Sequence, residues 1–299
     1  MNKKLLIVGC GYLGKCLLRL ALSEGWQVTA TFRQRHHREI LEQWGGSAIA
    51  CDVTRVQDVA RLPPADVVLY AVNLSAQAED SRASAWWLGL QHLMQHWQKH
   101  PQIWRRFILV SSTSVYGQRD ESWVQESAPT EPDSPSGQLT LRGEHLVLQA
   151  ASWSGQPVIA RLSGIYGPGR IVYARHFRQG LALLADPHGW LNLIHVADAA
   201  RAILALADTR EPDSVYNITD DEPVRRRDYW QALSVWLNLP IPSVPTLPID
   251  SSANRRICNA RIKCDLGIRW LYPSFRTGVP ASLHQEETAT ASGLCAVSS

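Results

Sequence analysis

The chain has 299 residues, 45% of them hydrophobic and 19% charged, with a formal net charge of +3 at pH 7. That length buries a substantial core, as one large domain or as a domain with a smaller lobe. The charge is too small and too dispersed to call for nucleic acid or an anionic membrane as a partner.

Met1-Asn2-Lys3-Lys4 followed by Leu5-Leu6-Ile7-Val8 imitates a secretion signal. Glycines and then Lys15 and Arg19 interrupt it before the roughly 7–15 apolar residues such a region needs. No run approaches the roughly 18 apolar residues of a membrane span. Cys10, Cys16, Cys51, Cys258, Cys264 and Cys295 have neither CxxC spacing nor the density of a disulfide scaffold, and read as reduced thiols. A cytoplasmic protein with no membrane partner is the expectation.

Residues 4–8 predict a short apolar strand, and Leu13, Leu17, Leu18 and Leu20-Ala21 recur near helical spacing after it. A second strand is predicted over 27–32, a polar helix over 34–43 and a short strand over 48–51. Then come a strand over 66–72, a helix over 81–100 and a strand over 106–111. A polar, proline-dotted stretch reaches Ser136, followed by a helix over 138–152 and a strand over 157–162. Near-continuous apolar strands alternating with helices predict an α/β fold with a doubly wound parallel sheet, covered on both faces. After Gly164 the pieces shorten around glycine and proline clusters, as in a smaller C-terminal substrate lobe. The expected division is 1–165 as a dinucleotide-binding Rossmann core, 166–282 as the lobe returning to the core, and 283–299 as a polar disordered tail.

Between the first strand and helix stands Gly9-Cys10-Gly11-Tyr12-Leu13-Gly14. In this pattern the first glycine makes the tight turn, the second lets backbone approach a pyrophosphate and the third lets helix pack on strand. The helix amino terminus then offers N–H groups and a positive dipole end. Three glycines alone make any tight turn, but the flanking strand, helix and second strand supply the context of a dinucleotide site. Gly9, Gly11, Tyr12, Leu13 and Gly14 are its candidate residues. The second strand ends Thr31-Phe32-Arg33-Gln34-Arg35, with no acid to hold a ribose 2′-hydroxyl. Arg33, and after it Arg35, are placed to take a 2′-phosphate, which favours NADP over NAD. The plainer alternative is a solvated loop.

Further along stand Val110-Ser111-Ser112-Thr113-Ser114-Val115-Tyr116-Gly117, Arg161-Leu162-Ser163-Gly164-Ile165-Tyr166-Gly167-Pro168-Gly169, Asn192-Leu193-Ile194-His195-Val196-Ala197-Asp198 and Val215-Tyr216-Asn217-Ile218. In this order they resemble the signatures of extended short-chain dehydrogenases/reductases, the NAD-dependent epimerase/dehydratase family, and within it the atypical YeeZ-like branch. The resemblance runs from about residue 3 to 275. It implies a nicotinamide cofactor, with Asp52 and Val53 flanking the adenine and Ala71 and Val72 lining the cofactor. It also implies a small polar, nucleotide-sugar type of substrate and a catalytic hydroxyl at Ser112.

The chain departs from that family where a tyrosine and a lysine normally stand one helical turn apart. Those positions hold Ser136 and Thr140, which bring neither a phenol nor a positive charge. Arg142 cannot stand in for the lysine, because two residues turn it about 200° round the helix. Tyr116 is the candidate for a relocated acid/base, with Tyr166 and His195 behind it; packing is the alternative for each. Asp198 reads as a helix cap. Trp86-Trp87, Trp97 and Trp104 read as either a homodimer face or core, and Arg225-Arg226-Arg227 as a solvated helix start or a phosphate site. No metal motif and no phosphate-hydrolysis loop occurs. Two readings follow: an NAD(P)-dependent oxidoreductase or epimerase, and an NADP-binding sensor or scaffold without catalysis.

Overall fold

A computed structural model of the chain describes residues 3–33, 36–72, 81–152, 155–245 and 254–291. Strands and helices alternate from the start: β1 (Lys4–Val8), α1 (Tyr12–Ser23), β2 (Gln27–Phe32), α2 (His36–Gln43), β3 (Ser47–Ala50), α3 (Val56–Val59), β4 (Ala65–Tyr70) and α4 (Ser81–Lys99). They continue with β5 (Trp104–Ser112), β6 (Trp123–Val124), α5 (Pro135–Leu148), β7 (Gln156–Leu162), β8 (Gly164–Tyr166) and α6 (Ala174–Gln179). The remainder is β9 (Trp190–Leu191), β10 (Leu193–His195), α7 (Val196–Asp208), β11 (Val215–Ile218), β12 (Val224–Arg225), α8 (Arg226–Leu237), β13 (Arg256–Ile257), α9 (Ala260–Leu266) and α10 (Phe275–Ala291).

Seven strands form one sheet in the order β11-β7-β5-β4-β1-β2-β3. Leu5 pairs with Val28 on one side and Val67 on the other, both in parallel register. The apolar runs read from the sequence are buried almost throughout, as in β4 and β7, so the expected doubly wound parallel sheet is what forms. The strand order reverses between β1 and β4. In an open α/β sheet, that switch point is where the carboxyl ends of the strands leave a crevice for a ligand.

The chain divides into two compact units. The first comprises Met1–Val115, Ser134–Arg161 and Ala200–Tyr216, and the second comprises Tyr116–Asp133, Leu162–Ala199 and Asn217–Ser299. The expected division at 165 falls close to the end of β7, but residues 116–133 and 200–216 cross it. In the first unit, Trp86, Trp97 and Trp104 are buried with Tyr70 and Phe107. Trp97 Nε1 donates to the Trp104 carbonyl at 2.9 Å and the Tyr70 hydroxyl to the Trp86 carbonyl at 2.7 Å. These three tryptophans are core, which leaves the dimer-face reading without them.

The second unit packs Tyr166, Phe177, Leu193, Tyr229, Trp230 and Phe275 together. Its strands pair in twos, β8 with β10 and β6 with β13 in parallel, and β9 with β12 antiparallel. Helix α10 continues to Ala291, through the beginning of the segment expected to be disordered; residues 292–299 lie outside the described ones.

Candidate functional site

Gly9 follows β1 with φ of 95°, a conformation that favours glycine. A Cβ there would lie 2.6 Å from the Val72 nitrogen and 2.7 Å from the Ala71 carbonyl carbon, so the turn also needs the bare backbone. The Gly9 N–H donates to Thr31 Oγ1 at 3.1 Å, and the Ala71 N–H to the Val8 carbonyl at 2.8 Å. These contacts bring the turn, the end of β2 and the Ala71-Val72 step together at the switch point.

A Cβ on Gly14 would sit 2.9 Å from the Gly9 carbonyl oxygen, whereas one on Gly11 would meet nothing within 4 Å. The first and third glycines are thus demanded by the protein's own packing. The second is not, and its open side is a cradle that a side chain would fill. No side chain caps α1 and its first turn carries no acid, so its amino end keeps its anion-binding character. Leu13 is buried behind the turn and Tyr12 half-buried beside it. Cys10 adds no charge, because burial pushes its thiol up to about 12. This donor set suits a dinucleotide pyrophosphate.

Arg33 is exposed just past β2, and Arg35 lies outside the described residues. Past β3, Asp52 Oδ1 accepts from the Thr54 hydroxyl at 2.7 Å and the Thr54 N–H at 3.0 Å. The hydroxyl is the main cause of a carboxyl held below its ordinary range; Arg55 and Arg33 add to it. Val53 is buried, and its carbonyl lies 3.0 Å from His92 Nδ1.

Ser112, at the end of β5, is half-buried, and its hydroxyl accepts from the Ser114 N–H at 3.1 Å. Ser134 caps α5 through the Gly137 N–H at 3.1 Å, which places Ser136 and Thr140 one turn apart. Thr140 is 4% exposed and its hydroxyl donates back to the Ser136 carbonyl at 2.8 Å, a bond within the helix. Arg142 sits over the Trp87 ring, 4.2 Å from its centroid.

One turn beyond Thr140 lies a group absent from the sequence-based expectations. Glu144 is fully buried and pairs with Arg161 of β7, Nη2 to Oε2 at 2.7 Å and Nε to Oε1 at 3.0 Å. Ser111 donates its hydroxyl to the same carboxylate. The available signal was an arginine inside an apolar strand, which requires a buried partner.

In the second unit, Tyr116 is buried and donates its hydroxyl to Asn217 Oδ1 at 2.7 Å. The Asn217 amide group donates to the Cys258 carbonyl at 3.2 Å and its backbone N–H to Glu126 Oε1 at 2.8 Å. Tyr166 is buried, and desolvation raises its phenol above the ordinary range. Burial pushes the His195 imidazole down to about 4. Its Nδ1 accepts from the Ala197 N–H at 3.2 Å and its Nε2 lies 3.1 Å from Ser282 Oγ, so it is a neutral, satisfied histidine near pH 7. Asp198 accepts from the Leu271 and Tyr272 N–H groups, both at 2.8 Å. Arg225 pairs with Glu121 and lies 4.1 Å from the Trp190 ring centroid. Arg226 donates to the Asp186 carbonyl at 3.3 Å, and Arg227 pairs with Asp228 at 3.1 Å. Arg225 is held by its partners, whereas the Arg227 side chain is 53% exposed, as at a solvated helix start.

Asp220, 1% exposed, has no hydrogen-bond partner for Oδ2 among the described residues. Burial raises its carboxyl well above the ordinary range, with Asp221, Glu222 and Asp198 adding like charge. The folded state therefore holds a proton that the unfolded state gives up at about pH 4, and stability falls as pH rises from there through the folded-state value. Asp220→Asn should match the wild type at pH 4 and melt progressively higher than it up to pH 9, by roughly 1–3 kcal/mol at the top of the range. Thermal melts across that range check the trend; a difference constant with pH contradicts it.

Among the described residues, no cluster of three or more His, Cys, Asp or Glu side chains could hold a metal ion. No helix among them is long and apolar enough to cross a membrane. The model of the NAD dependent epimerase/dehydratase family matches residues 5–219. Protein YeeZ of Escherichia coli (strain K12) is 29% identical over 281 residues, covering 91% of this chain and 97% of that protein. A functionally unknown conserved protein from Silicibacter pomeroyi DSS matches with a TM-score of 0.77 and 27% identity, over 96% of this chain and 100% of that one. UDP-glucose 4-epimerase from Bifidobacterium longum, in complex with NAD+ and UDP, matches with a TM-score of 0.81 and 20% identity, over 97% and 100%. At that identity the likeness carries the fold.

Proposed function

Because the chain belongs to the NAD-dependent epimerase/dehydratase family, we propose that it binds NADP in preference to NAD and acts on a small polar substrate of the nucleotide-sugar class. The observation that carries the cofactor half is the glycine turn at the switch point, where packing demands Gly9 and Gly14 and leaves Gly11 open. Gly9, Gly11, Tyr12, Leu13 and Gly14 would hold the pyrophosphate, Asp52 and Val53 the adenine end, Ala71 and Val72 the adjoining length, and Arg33 the 2′-phosphate. When bound, the group supplies hydride exchange with a carbon of the substrate. The substrate class rests on the likeness to an epimerase solved with UDP.

Ser112 carries the catalytic part of the proposal, as a hydroxyl at a strand end that can hold a substrate oxygen. Tyr116 would have to give up its bond to Asn217 before trading a proton. Ser136 and Thr140 do not reproduce a phenol and ammonium pair, so any proton transfer uses other groups or water.

The replacement of the phenol and ammonium pair by Ser136 and Thr140, whose hydroxyl is turned back to its own helix, supports the second reading, an NADP-binding sensor or scaffold without turnover. The test is titration of the purified protein with NADPH and NADH by fluorescence, followed by incubation with NAD(P) and UDP-hexoses and UDP-uronic acids. Expected are NADPH binding about tenfold or more tighter than NADH, the equivalent of about 1.4 kcal/mol, and Arg33→Ala removing most of that difference. Absence of binding to either cofactor overturns the proposal. Tight NADPH binding without turnover leaves the second reading standing.

A further inference from the structure

Strands β2 and β3 pair in parallel with Phe32 opposite Ala50, and the Cys51 N–H donates to the Phe32 carbonyl at 3.0 Å. Arg33 and Asp52 therefore leave neighbouring strand ends together. Thr54 pins Asp52 through Oδ1, and the remaining oxygen, Oδ2, lies 3.8 Å from Arg55 Nε. That separation is an ion pair too long for a hydrogen bond, and the Arg55 side chain is 72% exposed. The other nearby acid is already engaged. Asp58 accepts from the Asp52 N–H at 2.9 Å and from Arg61 Nη2 at 2.6 Å. The carboxyl end of β3 thus presents one pinned carboxylate with two arginines, Arg33 and Arg55, in its field.

We infer that Arg55 is a second cofactor-specificity residue, which leaves Asp52 to bind the adenosine 2′-phosphate together with Arg33. The inference rests on the NADP reading above. A 2′-phosphate carries close to two negative charges and three acceptor oxygens, more than one guanidinium satisfies. It would also lie near the Asp52 anion, and a single arginine would leave that repulsion uncompensated. An exposed ion pair at this distance holds Arg55 only weakly, so the charge-assisted bonds of a phosphate outcompete it. NADH, with a ribose hydroxyl there, offers Arg55 no such exchange.

The experiment measures NADPH and NADH dissociation constants for the wild type, Arg33→Ala, Arg55→Ala, Arg55→Lys and Asp52→Asn, at low and high salt. Melting temperatures serve as the control for folding. Arg55→Ala should weaken NADPH about tenfold and NADH less than about twofold, with a shallower salt dependence for NADPH. Arg55→Lys should recover part of the loss as a point charge. Asp52→Asn should tighten NADPH relative to NADH. The inference is overturned if the wild type and Arg33→Ala behave as the NADP reading requires while Arg55→Ala changes neither cofactor, or both equally. A wild type that prefers NADH overturns the NADP reading first and the inference with it, a result visible before any Arg55 variant is made.

Discussion

Gly11→Leu should abolish NADPH binding, by about 100-fold or more, while costing the fold about 1–2 kcal/mol. The asymmetry comes from what each glycine touches. A Cβ on Gly11 meets nothing within 4 Å and the residue's φ of −83° is negative, but its ψ of −149° lies outside the ordinary extended and helical regions, so a side chain costs some backbone strain and no clash. Leucine there extends into the open side of the turn and should exclude only a ligand's phosphates. The loss of stability reflects that unusual ψ together with leucine's poor performance at a helix N-cap. Gly9→Ala should behave in the opposite way. Its Cβ would be driven to 2.6 Å from backbone at a positive φ, and unfolding should become easier by about 3 kcal/mol or more. Urea melts and NADPH titration of the two variants separate binding from folding at one loop. Undiminished NADPH affinity in Gly11→Leu would remove the ground for assigning a pyrophosphate to this turn.

The largest effect on stability is expected at the buried pair in the first unit. Glu144→Ala leaves the Arg161 guanidinium without its carboxylate, with side-chain exposure of only 6%. Breaking such a pair from one side typically costs about 3–5 kcal/mol, because the remaining charge stays buried without its opposite charge. Arg161→Met should cost a similar amount by stranding the carboxylate. The double variant Glu144→Leu with Arg161→Met removes both charges and should recover much of the loss. Ser111→Ala should cost about 1–2 kcal/mol, by deleting one bond to a carboxylate that keeps its arginine. Denaturant melts of the set check this. Additive losses in the double variant would mean that the two side chains act independently.

Local chemistry was readable wherever it is written over consecutive residues. The second strand lies at 27–32 as expected, and the helix expected over 81–100 runs over Ser81–Lys99. Both are long enough for their period to show. The two-residue strands β6, β9, β12 and β13 are too short to carry one, and each exists because a distant partner pairs with it. The Glu144–Arg161 pair joins a helix to a strand: the apolar neighbours of Arg161 announce that it needs a buried partner, but nothing beside Glu144 names it as that partner. The tryptophans left two readings open because a helical aromatic stripe looks the same whether a core or a partner covers it. The glycine turn was legible as a motif, but its spacing alone does not distinguish the glycines that packing requires from the one it leaves open.

The second unit is assembled from pieces far apart in the chain, and this affects the order in which it can form. Tyr116 reaches Asn217, His195 reaches Ser282 and the Gly169 N–H reaches Glu286 at 2.7 Å. Each closure waits for the later residue to leave the ribosome, and contacts of such separation are slow to form. The segment after β5 emerges well before β13, the strand that pairs with its β6, so Trp123 and Val124 must wait with an unpaired edge. A nascent chain that has reached α8 already holds every segment of the first unit, glycine turn included, while the second unit still lacks the partners that close it.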